Sequence, residues 1–192
     1  MSKKLVTSDT HFNHANIIRY CNRPWLQPGD LDATGNWVSK SIAKIRADEM
    51  NEHMITQWNA VVGPNDDIWH LGDFGFGDYT DILRRLHGRI HMIVGSHDKQ
   101  IWEHKDRFVE ISPMLDVEGI TLCHYALRTW PKSHFNSCHL YGHSHGTLPG
   151  IGKSFDIGVD CWSFTPVSLD TIKEEMEKMP DNPNFIKEKD RR

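Results

Sequence analysis

The stretch CHLYGHSHG, residues 138–146, decides how this chain is read. Its first four residues form a short apolar run of strand type, and the rest sets His143 and His145 two positions apart between Gly142 and Gly146. In extended backbone, side chains at i and i+2 leave on the same face, so both imidazoles address one spot. Glycines on either side let backbone approach whatever sits there. A metal ion is the chemical reading, because neutral imidazole is the commonest metal ligand among side chains. The ordinary alternative is a polar turn with two solvated histidines, and the other apolar runs decide between them.

Those runs are KLVTS (4–8), DIWHL (67–71), RIHMIV (89–94), GITLC (119–123) and SFDIGV (154–159), rich in Ile, Val, Leu and aromatics and mostly too short for helices. KLVTS is followed by Asp9-Thr10-His11, DIWHL by Gly72-Asp73, RIHMIV by Gly95-Ser96-His97-Asp98, and GITLC by His124. With His143 and His145, five runs deliver a ligand-type residue at the carboxyl end. In open α/β sheets that edge is where ligands bind, since the loops converge there while the strands hold their roots. Five coincidences set the polar-turn reading aside.

Between the first two runs, Ile42, Ile45, Met50, Met54, Trp58 and Val61 recur near a 3.6-residue period, which predicts a helix over 39–61 that GPNDD ends. A shorter helix is expected over 79–87, a strand pair around Glu118-Gly119 over 108–123, and a last helix over 170–179. The sum is an α/β chain in a mixed, two-layered arrangement rather than a purely parallel sheet.

A chain of 192 residues suffices for one well-buried core, and no linker-like stretch divides it. One domain is expected over 1–180, followed by a charged tail over 181–192 that is solvated or disordered. A formal charge of −4 disfavours duplex DNA or an anionic membrane as partner, without excluding a small nucleotide. Neither a signal peptide nor a membrane span is apparent, so a cytoplasmic protein is expected. Cys21, Cys123, Cys138 and Cys161 form no CxxC pair and read as reduced thiols. Thirteen histidines, several beside Asp and Gly, point to metal chemistry.

The ordered blocks DTH, GD, GSHD, a lone His and GHSH resemble the calcineurin-like metallophosphoesterase superfamily, whose pattern is DxH, GD, GN[HD][DE], H and GHxH. The opening DTHFNHANII and the later CHYALRTW are most similar to its small bacterial and phage members. The resemblance implies a two-layered mixed β-sandwich flanked by helices and carrying two divalent ions, drawn from Mn, Fe, Zn, Co or Ni, that activate a water and screen phosphoryl oxygens. It implies Asp73 as the bridging carboxylate, Asp9, His11 and His145 at one ion, and His124 and His143 at the other. His97 would stabilise the phosphoryl group or protonate the leaving group, with Asp98 orienting it. Ser96 departs from the pattern, standing where the family places an asparagine whose amide oxygen ligates the second ion. It is either a natural variant with a weakened site or a substitution that disables catalysis.

Other residues carry two readings each. Arg128 would clamp a substrate phosphate or lie on the surface. Asn13, His14 and Arg19 would line the pocket, with helix capping an equal account of Asn13. His70 reads as packed, and Trp130 and Trp162 as core residues or as platforms for a base. The leading expectation is a phosphoesterase acting on a small phosphomonoester or phosphodiester, with a nucleotide or cyclic nucleotide favoured. FGFGDY after the GD block lacks the arginine-bearing extension of protein phosphatases. A nuclease on nucleic-acid ends and a non-catalytic metal-binding scaffold are the alternatives; oligomeric state is left open.

Overall fold

The computed structural model describes residues 2–190, the side chain of Asp190 excepted. Two mixed sheets form the two layers. In the first, β1 (Lys4–Thr7), β2 (Asp67–His70), β3 (Arg89–Ile93) and β4 (Glu110–Ser112) run parallel, and the two-residue β9 (Val167–Ser168) pairs antiparallel with β1. In the second, β5 (Met114–Val117) and β6 (Ile120–Cys123) form a hairpin, and β7 (Cys138–Tyr141) and β8 (Ser154–Asp156) extend it in parallel. The expected strand pair over 108–123 is thus three strands, the first belonging to the other sheet.

The near-continuous apolar character of the strands has a direct cause, since parallel strands are covered on both faces. Val6, Trp69, Leu71 and Ile93 of the first sheet meet Ile120, Leu122, Leu140 and Ile157 of the second, with α4 (Leu169–Lys178) adding Leu169, Ile172 and Met176. On its other face the first sheet packs Leu5, Ile68, Ile90 and Met92 against α1 (Ala15–Tyr20), α2 (Lys40–Val61) and α3 (Thr80–Arg85). The expected segment 154–159 is a strand only to Asp156 before the chain turns into a 3₁₀ helix, Val159–Cys161.

The long helix starts where Ser39 caps it, its side chain accepting from Ile42 N at 3.1 Å. Its buried stripe is Ala47, Met50, Asn51, Met54, Ile55 and Trp58, whereas Ile45, expected in the stripe, is exposed. Asn13 is not a cap: His14 holds that position on α1, and the Asn13 side chain instead bonds Asn51 and the carbonyls of Phe76 and Asp78. Beyond Met179 the chain does not leave the body at once. Asn182 is buried and bonds the carbonyls of Ser133 and Ser137 and the amide of Lys153. The final Arg191 and Arg192 of the expected tail lie outside the described residues. No helix among the described residues is long and apolar enough to cross a membrane.

Candidate metal centre

At the carboxyl ends of the strands the two sheets are joined. A parallel bridge links Ser8 to Gly158, Val159 N donates to Ser8 O at 3.0 Å, and the ladder between β1 and β2 continues into the loops as Asp9 N to Gly72 O and His11 N to Asp73 O, both 3.0 Å. This join brings residues from both sheets together. Asp9, His11 and His145 offer ligand atoms that all lie within 4.8 Å of one another, and so do Asp73, His124 and His143. Each triplet therefore takes ligands from both sheets.

Asp73 lies between the two groups. Its Oδ2 is 3.7 Å from His11 Nε2 and 3.6 Å from His124 Nε2. Both of these nitrogens are buried, and neither has a hydrogen-bond partner. His124 Nδ1 lies 2.8 Å from the carbonyl of Leu71, so that nitrogen carries the proton and Nε2 presents its lone pair. A buried imidazole nitrogen without a partner is costly, and two facing one carboxylate oxygen form a donor set of the kind divalent transition ions take.

Charge at the site agrees with that donor set. Burial, only partly offset by His145 alongside, pushes the Asp9 carboxyl up to about 8. Burial also holds the His11 and His124 imidazoles below their usual range, keeping them neutral. Burial opposes charge on His145 as well, but its bond to Asp160, with Cys21 and Asp9 nearby, raises it to about 10. Without an ion, Asp9 and His145 would thus both hold protons at neutral pH, and a divalent cation would take the place of those protons.

Close approach explains the glycines of the GD, GS and GH blocks. A Cβ on Gly142 would run into Ser8 Oγ and the Asp9 carboxylate, and one on Gly95 into the Asp73 amide and carboxylate. The backbone is also unusual at the ligands themselves. Asp9, His11, Asp73, His143 and His145 have φ of 57°, 49°, 55°, 67° and 47°, the left-handed region sparsely used by residues with a Cβ. Such conformations gather at functional sites.

The other expected site residues are placed as follows. Ser96 and His97 are exposed at the rim; Ser96 Oγ donates to the Asp73 carboxylate at 3.1 and 3.3 Å, and His97 N donates to Asp73 Oδ1 at 2.8 Å. Asp98 is buried and accepts from the backbone amides of Asp73, Phe74 and Gly95 at 2.8, 2.9 and 2.6 Å, so its carboxylate braces two loops rather than the His97 ring. His14 belongs to the cluster: its Nδ1 lies 3.3 Å from that of His11, its ring packs on Phe76, and burial lowers its pKa to about 4.

Arg19 is directed elsewhere, bonding Gly35 O and Asn36 Oδ1. Arg128 is exposed and lines a cavity of about 160 Å³ with Tyr141, Leu148, Ile151 and Ser154. His70 is packed, 2.9 Å from Thr10 Oγ1. Trp130 is core, its Nε1 donating to Ser137 O, while half-buried Trp162 lines a cavity of about 350 Å³ that borders the centre through Asp156 and Cys161. The four cysteines are free thiols.

Three residues that the sequence reading passed over surround the centre. Asp156 accepts from Ser144 Oγ and Gly146 N at 2.6 and 2.9 Å and so shapes the loop carrying His143 and His145. Asp160 accepts from His145 Nδ1 at 2.7 Å, and the buried Arg23 grips Asp160 through Nε and Nη2 at 2.8 and 2.9 Å. Cys21, His145 and Asp160 also fall within ligand distance of one another, but both Asp160 oxygens already serve Arg23 and His145. That group therefore supports the centre and is not a third one. The signal for Asp160 was available, since SFDIGV is a sixth apolar run followed by a carboxylate.

No family model matches the chain. The crystal structure of AQ665 from Aquifex aeolicus, a protein of unknown function, superposes with a TM-score of 0.64 over 91% of this chain and 100% of that one, at 24% identity, a likeness of fold. The Gene 66 protein of Mycobacterium phage L5 is 28% identical over 107 residues, which is 51% of this chain and 41% of that protein. The uncharacterized protein MJ1445 of Methanocaldococcus jannaschii is 32% identical over 192 residues, covering 93% of both chains. At that identity and coverage, this chain belongs to the same family as MJ1445.

Proposed function

We propose that the chain is a metal-dependent phosphoesterase of the calcineurin-like type, hydrolysing a small phosphomonoester or phosphodiester such as a nucleotide or cyclic nucleotide. The observation that carries this reading is the pair of buried, unpartnered Nε2 atoms of His11 and His124 facing Asp73 Oδ2. In support, the motif blocks stand in the superfamily's order, and two mixed sheets bring them together. Asp9, His11 and His145 would hold one ion and Asp73, His124 and His143 the other, with Asp73 shared. Two divalent ions there would supply Lewis-acid charge to phosphoryl oxygens and lower the pKa of a water. His97, exposed at the rim beside Asp73, offers a ring to hold or deliver a proton at the leaving group.

The test is metal content together with hydrolysis of p-nitrophenyl phosphate and bis-p-nitrophenyl phosphate across Mn, Fe, Zn, Co and Ni, followed by nucleotides. Turnover that follows metal occupancy supports the reading. Bound metal without turnover on any of these would favour the scaffold, and absence of binding would remove the centre.

His97→Ala should retain metal and lose turnover by roughly 100-fold, the range of a positioned acid or base. The loss should shrink for a good leaving group such as p-nitrophenolate. An equal loss across leaving groups would instead assign His97 to charge stabilisation.

Ser96→Asn should raise turnover at limiting metal and change it less at saturation. The serine hydroxyl engages Asp73, whereas an amide oxygen would add a ligand for the second ion. Turnover measured against metal concentration decides; unchanged curves would mean that the site is built around the serine.

A further inference from the structure

Arg23 is a charged residue with only 2% of its surface exposed, and all five of its N–H donors are engaged. Nε and one Nη2 proton go to the two oxygens of Asp160, the other Nη2 proton to Asp9 O at 2.8 Å, and Nη1 to Thr10 O at 3.1 Å and Met50 Sδ at 3.3 Å. An arginine that binds substrate phosphate needs free donors, and this one has none. Its bonds instead converge on the segments that carry one triplet of ligands. It fixes the backbone carbonyls of Asp9 and Thr10 directly, the two residues that lead into His11. Through Asp160 it reaches His145, which comes from the other sheet.

Asp160 has two roles at once. Its Oδ2 takes both Arg23 Nη2 and His145 Nδ1, so the imidazole proton is drawn to Nδ1 and the Nε2 lone pair is left for Asp9 and His11 to share a cation with. Outer carboxylates that orient ligating histidines in this way commonly set tautomer and ring direction. We propose that Arg23 and Asp160 are a positioning pair: the guanidinium locks the Asp160 carboxylate, and that carboxylate aims His145 at the ion bound by Asp9 and His11. The proposal rests on the reading of the cluster as a metal centre.

Calorimetric titration of chelated, metal-free protein with Mn²⁺ tests it. Wild type should show two binding steps. Asp160→Asn should weaken one step by roughly 10–100-fold, the usual cost of losing an outer-shell partner, and leave the other in place. In a His145→Ala background the same substitution should change affinity no further, because its effect runs through that ring. A merely structural role would weaken both steps alike and persist in the His145→Ala background, and either result would overturn the proposal. Nitrogen-15 NMR of the histidines in Zn²⁺-loaded wild type provides a check that needs no variant to fold: His145 should carry its proton on Nδ1 and none on Nε2, and an Nε2-protonated ring would also overturn it. If wild type binds no Mn²⁺, the metal centre itself fails, an outcome distinct from an unselective loss in Asp160→Asn.

Discussion

Asp73→Asn should strip metal from both positions and reduce phosphoester hydrolysis by on the order of 1000-fold or more, beyond the roughly 10–100-fold cost of an outer-shell change, since it removes a direct ligand. Asp73 is 2% exposed and faces the lone pairs of His11 and His124 through a single oxygen, while its other oxygen accepts from His97 N. An asparagine keeps one oxygen and turns an NH₂ toward whatever the other oxygen served. The metal-free fold should not suffer equally, because burial raises the carboxyls of Asp9 and Asp98 and the charge of Asp73 beside them adds to it. Metal analysis alongside thermal melting of the chelated protein separates the two effects. A variant that keeps both metals and normal turnover would show that Asp73 does not join the two groups.

Arg23→Met should destabilise the chelated protein by about 3–5 kcal/mol, the cost of removing one partner from a buried ion pair. It leaves the Asp160 carboxylate facing His145 alone and the carbonyls of Asp9 and Thr10 without their donors. For a domain of this size, the loss corresponds to a melting point lower by on the order of 10 °C. Replacing both residues, as Arg23→Met with Asp160→Leu, should recover part of it, because no charge is then left unpaired. Denaturant unfolding of the three chelated proteins measures this. A loss under about 1 kcal/mol would fit a solvated surface pair and contradict the burial described here.

How much of this was legible in the chain depends on the range of each interaction. The strands showed because residues such as Val6, Ile68 and Leu140 are buried in runs of apolar neighbours, and α2 showed because apolar residues such as Met50, Met54 and Trp58 recur each turn. The residues gathered at the candidate centre showed because each one closely follows a strand. The 3₁₀ segment Asp98–Arg107 carries many charges and no long apolar stripe, and β9 is two residues held only by its pairing with β1. Asn13 suits a cap by type, but Asn51, 38 residues away, claims it. Arg23 and Asp160 stand 137 positions apart, and nothing in the sequence pairs them, although Asp160 follows an apolar run as the candidate ligands do. Only the joining of the two sheets makes them neighbours.

The left-handed backbone at Asp9, His11, Asp73, His143 and His145 bears on inheritance. At such angles a glycine meets no steric penalty, while a residue with a Cβ gives up about 1–2 kcal/mol. On folding grounds alone, random substitution at these five codons would find its gains by discarding the side chain. A lineage under pressure only to stay folded would drift toward glycine there. Aspartate and histidine at all five positions therefore carry a folding cost that glycine would not, and the metal chemistry proposed for these side chains would account for it.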